Sequence, residues 1–222
     1  MDKWQLTREG NVFTLRISDG ENKLGQVALS EWNRALDAVV KTGSDKVLII
    51  TGADHYWSTG LDLVDVERMS HLEREAFLAR VDALLAKILT APFVTIAALN
   101  GHAYAAGGLL ALAHDYRIMR SDRGYFCLPS IDVGIPFTAG MAALIADKIP
   151  QPAAHDLVIS GREMGADEAL ASGIITRAVA ADQVLPASAE MAQRLTGKDA
   201  ATLSTLKRRM YHNSIRLLSR ST

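Results

Sequence analysis

The chain has 222 residues, about half of them hydrophobic, with 24 basic and 25 acidic side chains. That length suits one domain with an appendage, or two small ones. The balanced charge has no basic block, which argues against nucleic acid as a partner, and Cys127, the single cysteine, excludes an internal disulfide.

Taken in chain order, residues 12–17 alternate apolar and polar positions and read as a strand. Residues 20–25 form a turn or loop. Leu29, Trp32, Leu36 and Val39/Val40 then recur at helical spacing. A Gly43-Ser44-Asp45 turn leads into a short buried strand, 46–50. Residues 51–62, TGADHYWSTGLD, read as a loop, and the next helix carries Phe77, Val81, Leu84/Leu85 and Ile88 on one face.

Residues 94–115, VTIAALNGHAYAAGGLLALAHD, are uncharged until the last position. An uncharged run of about 20 residues is also the length of a membrane span. Here Asn-Gly, a His and Gly-Gly interrupt it, and no basic anchors precede it. It reads instead as a buried strand, a small-residue turn and a buried helix. Such a turn brings backbone N–H groups to a helix N-terminus, where they can hold partial negative charge.

Further short strands follow at 116–119 and 125–128. Residues 129–138 read as irregular, and helical segments lie near 139–148 and 153–160. A short helix at 166–173 ends on a Gly C-cap. An extended piece at 174–179 precedes a helix from Asp182 to about residue 196. The last helix starts near Asp199, with Leu203, Leu206, Met210 and Leu217 on one face and Lys207 beside it. Strands and helices alternate, as in repeated crossover units of an α/β fold.

The His residues at 55, 71, 102, 114, 155 and 212 form no HxH or HxxxH pair, and no CxxC is present, so no metal is expected. The charged N-terminus shows no signal-peptide core. With the lone thiol, these features point to a soluble cytoplasmic protein without a membrane span.

Three segments carry a family resemblance. Residues 57–62, WSTGLD, resemble the FSAGxD motif of the crotonase (enoyl-CoA hydratase/isomerase) superfamily. Residues 100–115 resemble its NGxAxGGGxxLAxxxD motif, and residues 160–175, SGREMGADEALASGII, its SGxxxxAxEAxxxGLV pattern. TIAALNGHAxAAG and HDYxxMRxDRG look most like the Δ3-Δ2-enoyl-CoA isomerase branch.

The resemblance implies a crotonase-like spiral of ββα units over residues 1–160, carrying an oxyanion hole and an acyl-CoA groove. It implies a mainly helical region at 161–222 for oligomerisation, as a homotrimer or hexamer, and for contact with CoA. The substrate would be an acyl-CoA thioester, with CoA as part of it and no other cofactor. By motif position, the backbone N–H groups of Leu61 and Ala106 would form the hole. Ala106 stands where the family usually has Gly, a substitution that suits a negative φ only. His55, Trp57, Gly60, Gly107, Leu109 and Lys207 fall on substrate-binding positions.

The acids depart from the pattern. Where hydratases carry one Glu this chain has Leu109, and where hydratases and many isomerases carry another it has Ser130. Thr138 stands where dienoyl-CoA isomerases place an Asp. Hydration needs both a base and an acid, so these positions speak against a hydratase. A double-bond shift needs one proton carrier. Asp132 is the nearest carboxylate, and in an extended segment it would share a side with Ser130. A structural Asp is the alternative. An unactivated Ser130 is a poor base, and His102 and Tyr104 read as packing residues. The expectation is an isomerase-like enzyme of enolate chemistry. The alternatives are a thioester-binding protein that has lost its acids, or a hydratase, decarboxylase or thioester hydrolase of the same superfamily.

Overall fold

The computed structural model describes residues 3–43, 45–53 and 55–220. Ser44 of the expected turn and Asp54 of the expected loop lie outside them. Strands β1 (Trp4–Glu9) and β2 (Val12–Ile17) form an antiparallel hairpin, followed by α1 (Gln26–Val40). Then come β3 (Val47–Thr51), β4 (Tyr56–Ser58), α2 (Leu63–Arg68) and α3 (His71–Leu89). The next unit is β5 (Val94–Leu99), β6 (His102–Tyr104) and α4 (Ala106–Ala113). After β7 (Tyr116–Arg120) and β8 (Phe126–Cys127) come α5 (Ser130–Val133), α6 (Ala139–Lys148), α7 (Gln151–Ser160) and α8 (Ala166–Ala171). The chain continues through β9 (Arg177–Val179), α9 (Val184–Leu195), α10 (Ala200–Met210) and α11 (His212–Leu218).

Three consecutive units each send one strand to a large sheet and the next to a small one before turning into a helix. The large sheet runs β1-β2-β3-β5-β7-β9 and the small one β4-β6-β8. From β2 onward all pairings are parallel. This is the expected spiral of ββα units. Strands β3 and β5 are buried along their whole length, as parallel strands covered on both faces are. Leu48, Ile50, Ala97 and Leu99 face the main core, while Val47, Ile49, Ile96 and Ala98 face α9. The uncharged run 94–115 is thus divided among β5, β6 and α4. No helix among the described residues is long and apolar enough to cross a membrane.

The expected division at residue 160 is not a structural boundary. Strand β9 pairs with β7 in the large sheet, and α9 covers its outer face through Val184, Ala187 and Ala192. The expected last helix is two helices, broken at Tyr211. Its expected apolar face is only partly covered: Leu203 packs against the outer core, whereas Leu206 is 51% and Met210 70% exposed, and Lys207 beside them is only 4% exposed. The Lys207 ammonium lies 2.6 Å from Asp115 Oδ2 and donates to the Ala91 and Phe93 carbonyls. Burial lowers its pKa and the Asp115 carboxylate opposes that shift. An ion pair outweighed the hydrophobic stripe in setting which face of α10 turns inward.

Candidate functional site

The site grows from the crossing of two loops. Leu24 N–H donates to the Gly60 carbonyl at 2.7 Å, and Asp62 N–H donates to the Leu24 carbonyl at 3.2 Å. In such a parallel bridge, Leu24 uses the groups on either side of Leu61, so the Leu61 N–H itself faces away from Leu24. Asn22 braces the same loop from below. Its Nδ2 donates to the carbonyls of Ile17, Tyr56 and Trp57, and its own carbonyl accepts from Ser58 Oγ at 2.8 Å. Asn22 has φ +50 and is buried. The sequence offered only an Asn between two glycines as a signal for it.

The second donor comes from α4. Ala106 is the first residue of that helix, so its N–H has no intrahelical acceptor. Gly60, at φ +90, packs so closely that a Cβ there would lie 2.8 Å from Ala106 N. A Cβ on Gly107 would overlap the Ser58 carbonyl. Both glycines are therefore needed for close approach, and they bring the Leu61 and Ala106 amides to one corner. The left-handed position falls not on Ala106 but one residue earlier. Ala105 has φ +49 and ψ −121 and is held by a 3.0 Å bond from its N–H to the Cys127 carbonyl.

This corner opens on a cavity of about 180 Å³. That is below the roughly 300–1,000 Å³ that encloses a drug-sized ligand. Leu61, Ala106, Leu109, Ile135, Phe137 and Met141 are among its apolar wall residues. Its polar residues are Thr59, Tyr104 and Ser130, and among the described residues no charged one lines it. Leu109 lies one helical turn after Ala106 and faces the same way.

Of the expected site residues, Leu61, Ala106, Leu109 and Ser130 meet at this cavity, with Gly60 and Gly107 closely packed beside Ala106 and Ser58. Asp132 does not. It lies in the α5 helical turn rather than an extended segment, so it points to nearly the opposite side from Ser130. Its carboxylate packs on Gly161, where a Cβ would collide with Oδ2. Trp57 is 2% exposed, and its indole N–H donates to the Ile50 carbonyl, which makes it a core residue rather than a substrate contact. His55 is exposed on the loop before β4. Lys207 is locked in the interior and is not free to meet a nucleotide. Thr138 caps α6 and donates to Asp82 at 3.0 Å.

Two further groups were not read from the sequence. His114, at the end of α4, is fully buried between Trp32 and Trp57. Its Nδ1 lies 2.7 Å from the Leu110 carbonyl, and burial pulls its pKa down to about 4. Tyr104 donates its phenol proton to Glu163 at 2.7 Å. The segment around Glu163 reaches it because Met164 exchanges two 2.9 Å backbone bonds with Phe126 at the small sheet's edge. Cys127 shares this row, and burial pushes its thiol up to about 12, which leaves it protonated. Among the described residues, no group of three or more His, Cys, Asp or Glu could hold a metal ion.

The family described as enoyl-CoA hydratase/isomerase matches residues 7–221. The enoyl-CoA delta isomerase 3 of Arabidopsis thaliana is 30% identical across 96% of this chain and 94% of its own. The peroxisomal enoyl-CoA delta isomerase 1 of the same organism is 33% identical over 78% of this chain and 73% of its own. In fold, a crystal structure of an enoyl-CoA hydratase/isomerase family protein from Pseudomonas syringae superposes with a TM-score of 0.92. It is 24% identical and covers 99% of this chain and 95% of its own.

Proposed function

The chain belongs to the enoyl-CoA hydratase/isomerase family, and from that premise we propose that it binds acyl-CoA thioesters and shifts a double bond from the Δ3 to the Δ2 position. The observation that carries this reading is that Leu61 and Ala106, the latter at the first turn of α4, line one apolar cavity on which no charged residue lies among the described residues.

The chemistry follows from where charge develops. The C2 hydrogens of a 3-enoyl thioester lie between a carbonyl and a double bond. Removing one makes a dienolate whose charge sits on the thioester oxygen. Two fixed N–H donors stabilise that oxygen more in the transition state than in the ground state. Backbone donors need no particular side chain, so Leu and Ala serve. Returning the proton at C4 gives the conjugated 2-enoyl product. Hydration would need a base for water and an acid for carbon. Leu109 and Ser130, at the positions where hydratases carry Glu, supply neither.

The lack of a carboxylate on the cavity wall favours one second reading, a thioester-binding protein without turnover. The two separate cleanly. Conversion of a 3-enoyl-CoA, followed by the ultraviolet absorbance of the conjugated product, is expected of the isomerase. Calorimetric binding of the thioester without conversion would establish the second reading, and no binding of thioester or free CoA would remove both.

A homotrimer or hexamer is part of the proposal. It is supported by the family resemblance of the C-terminal stretch, and light scattering tests it. Cytoplasmic location is also part of it. That rests on the lone buried thiol of Cys127 and stands beside a relative named as peroxisomal.

A further inference from the structure

The geometry points to Tyr104 as the proton carrier of this cavity, with Glu163 as the carboxylate that holds and recharges its phenol. This rests on the isomerase reading and supplies the base that the family positions lack. Three residues that carry a side-chain hydroxyl, Thr59, Tyr104 and Ser130, line the cavity. Among the described residues no carboxylate bonds Ser130 Oγ, and an alkyl hydroxyl alone is a poor base. Thr59 Oγ1 lies 3.3 Å from Glu21 Oε2 and 3.4 Å from the Glu21 carbonyl, a long contact at an equally weak acid. Tyr104 is the one of the three whose hydroxyl donates to a carboxylate at short range, and its 2.7 Å bond to Glu163 has the length of a charge-assisted pair.

The fold puts this phenol beside the hole. Tyr104 ends β6 two residues before Ala106, and residues 104, 105 and 106 all line the cavity. Tyr104 pairs with Cys127 across the small sheet, and the Met164–Phe126 bridge lays Glu163 at the far side of Cys127. The three side chains therefore form one row on one face of the sheet. The Tyr104 ring also packs at a tilt against His102, with centroids 4.9 Å apart. Burial, and after it the Glu163 bond, raises the Tyr104 pKa, so the resting phenol keeps its proton.

The proton balance is closed. As the C2–H bond of the 3-enoyl thioester breaks, its proton goes to Tyr104 Oη. Tyr104's own proton goes to the Glu163 carboxylate, and the electron pair moves onto the thioester oxygen between Leu61 and Ala106. In the second half the Tyr104 proton goes to C4, Glu163 returns a proton to Tyr104, and the resting state is restored. Tyr104 is a catalytic residue on this account, and Glu163, which touches only the phenol, is a positioning residue.

The test compares wild type, Y104F, E163Q and E163D with a 3-enoyl-CoA in heavy water, following both conversion and deuterium uptake, with thioester affinity measured by calorimetry. Y104F keeps the ring and its His102 contact, so folding is retained. Its kcat is expected to fall about 100-fold or more, the usual scale for a positioned acid–base group, with KM and affinity within about twofold. E163Q is expected to lower kcat with KM unchanged, and E163D to restore part of it. A Y104F variant within about twofold of wild type in kcat overturns the relay and leaves the isomerase reading standing. An inactive E163Q beside an active Y104F also overturns it, because the carboxylate would then act on carbon directly. A wild type that binds the thioester and exchanges no deuterium contradicts the relay and the isomerase reading together.

Discussion

The cavity wall that carries Leu61 and Ala106 is held by the backbone of several segments, whereas the opposite wall, residues 129–137, is one helical turn followed by irregular chain. On the first wall the loop after β1–β2 hydrogen-bonds residues 59–62, Asn22 reaches three carbonyls, and two glycines permit close approach. On the second, Ile131 and Val133 are exposed, Asp132 turns away, and Ser130 offers a hydroxyl. The contrast is instructive because charge stabilisation tolerates little displacement, so the donors are over-determined. The group that moves protons is free to come from elsewhere on the rim.

The largest expected effect lies outside both walls and serves as the control. Lys207→Met leaves the partly buried Asp115, 17% exposed, without its cation, and breaking a buried pair costs about 3–5 kcal/mol. The lower end applies, since Asp115 keeps its bonds from Thr95. Denaturant unfolding checks this, and the folded fraction should bind acyl-CoA as wild type does.

Gly60→Ala strikes the braced wall. Its Cβ lies 2.8 Å from Ala106 N at a φ that disfavours any side chain. A fall of about 100- to 1,000-fold in turnover is expected, the scale of losing one oxyanion donor. An equal rate would show that the two amides are not the hole.

Acid should weaken the same wall. The folded His114 pKa of about 4 lies below the ordinary value of 6.5. Between those values the unfolded chain binds a proton that the folded one refuses. Stability is therefore full above pH 6.5 and declines as pH falls toward 4, by about 3 kcal/mol in all. Unfolding followed by Trp32 and Trp57 fluorescence measures it, and His114→Gln should flatten the decline.

The loose wall should instead accept new chemistry. Ser130→Glu is expected to raise isomerase turnover by about tenfold, below the full range of a well-positioned base. A folded variant with no gain would mean that the acyl chain does not lie along this wall. The smallest effect is Ala105→Gly. Relief at φ +49 should stabilise the fold by about 1 kcal/mol in thermal unfolding, with turnover unchanged.

The contrast between the walls also explains what the sequence disclosed. The buried strands and the Leu61 and Ala106 positions were legible, because apolar runs and glycine-rich motifs are local signals. Strands β4 and β6 were not, since three residues carry no readable period, and β1 is an exposed edge strand without a buried face. Asp132 was misplaced because one helical turn reverses the side on which a residue two positions along falls. Lys207 was misplaced because its partner, Asp115, lies 92 residues away. Tyr104 and Glu163 meet only through the bridge between Met164 and Phe126, a contact that no spacing rule reveals.

The central claim is that the Leu61 and Ala106 amides hold an enolate. Incubating the protein with a 3-enoyl-CoA in heavy water, and reading mass and ultraviolet absorbance together, tests it most directly. The account predicts conjugated product carrying deuterium, and loss of both signals in Gly60→Ala. Unlabelled, unconverted thioester that is nonetheless bound would contradict it.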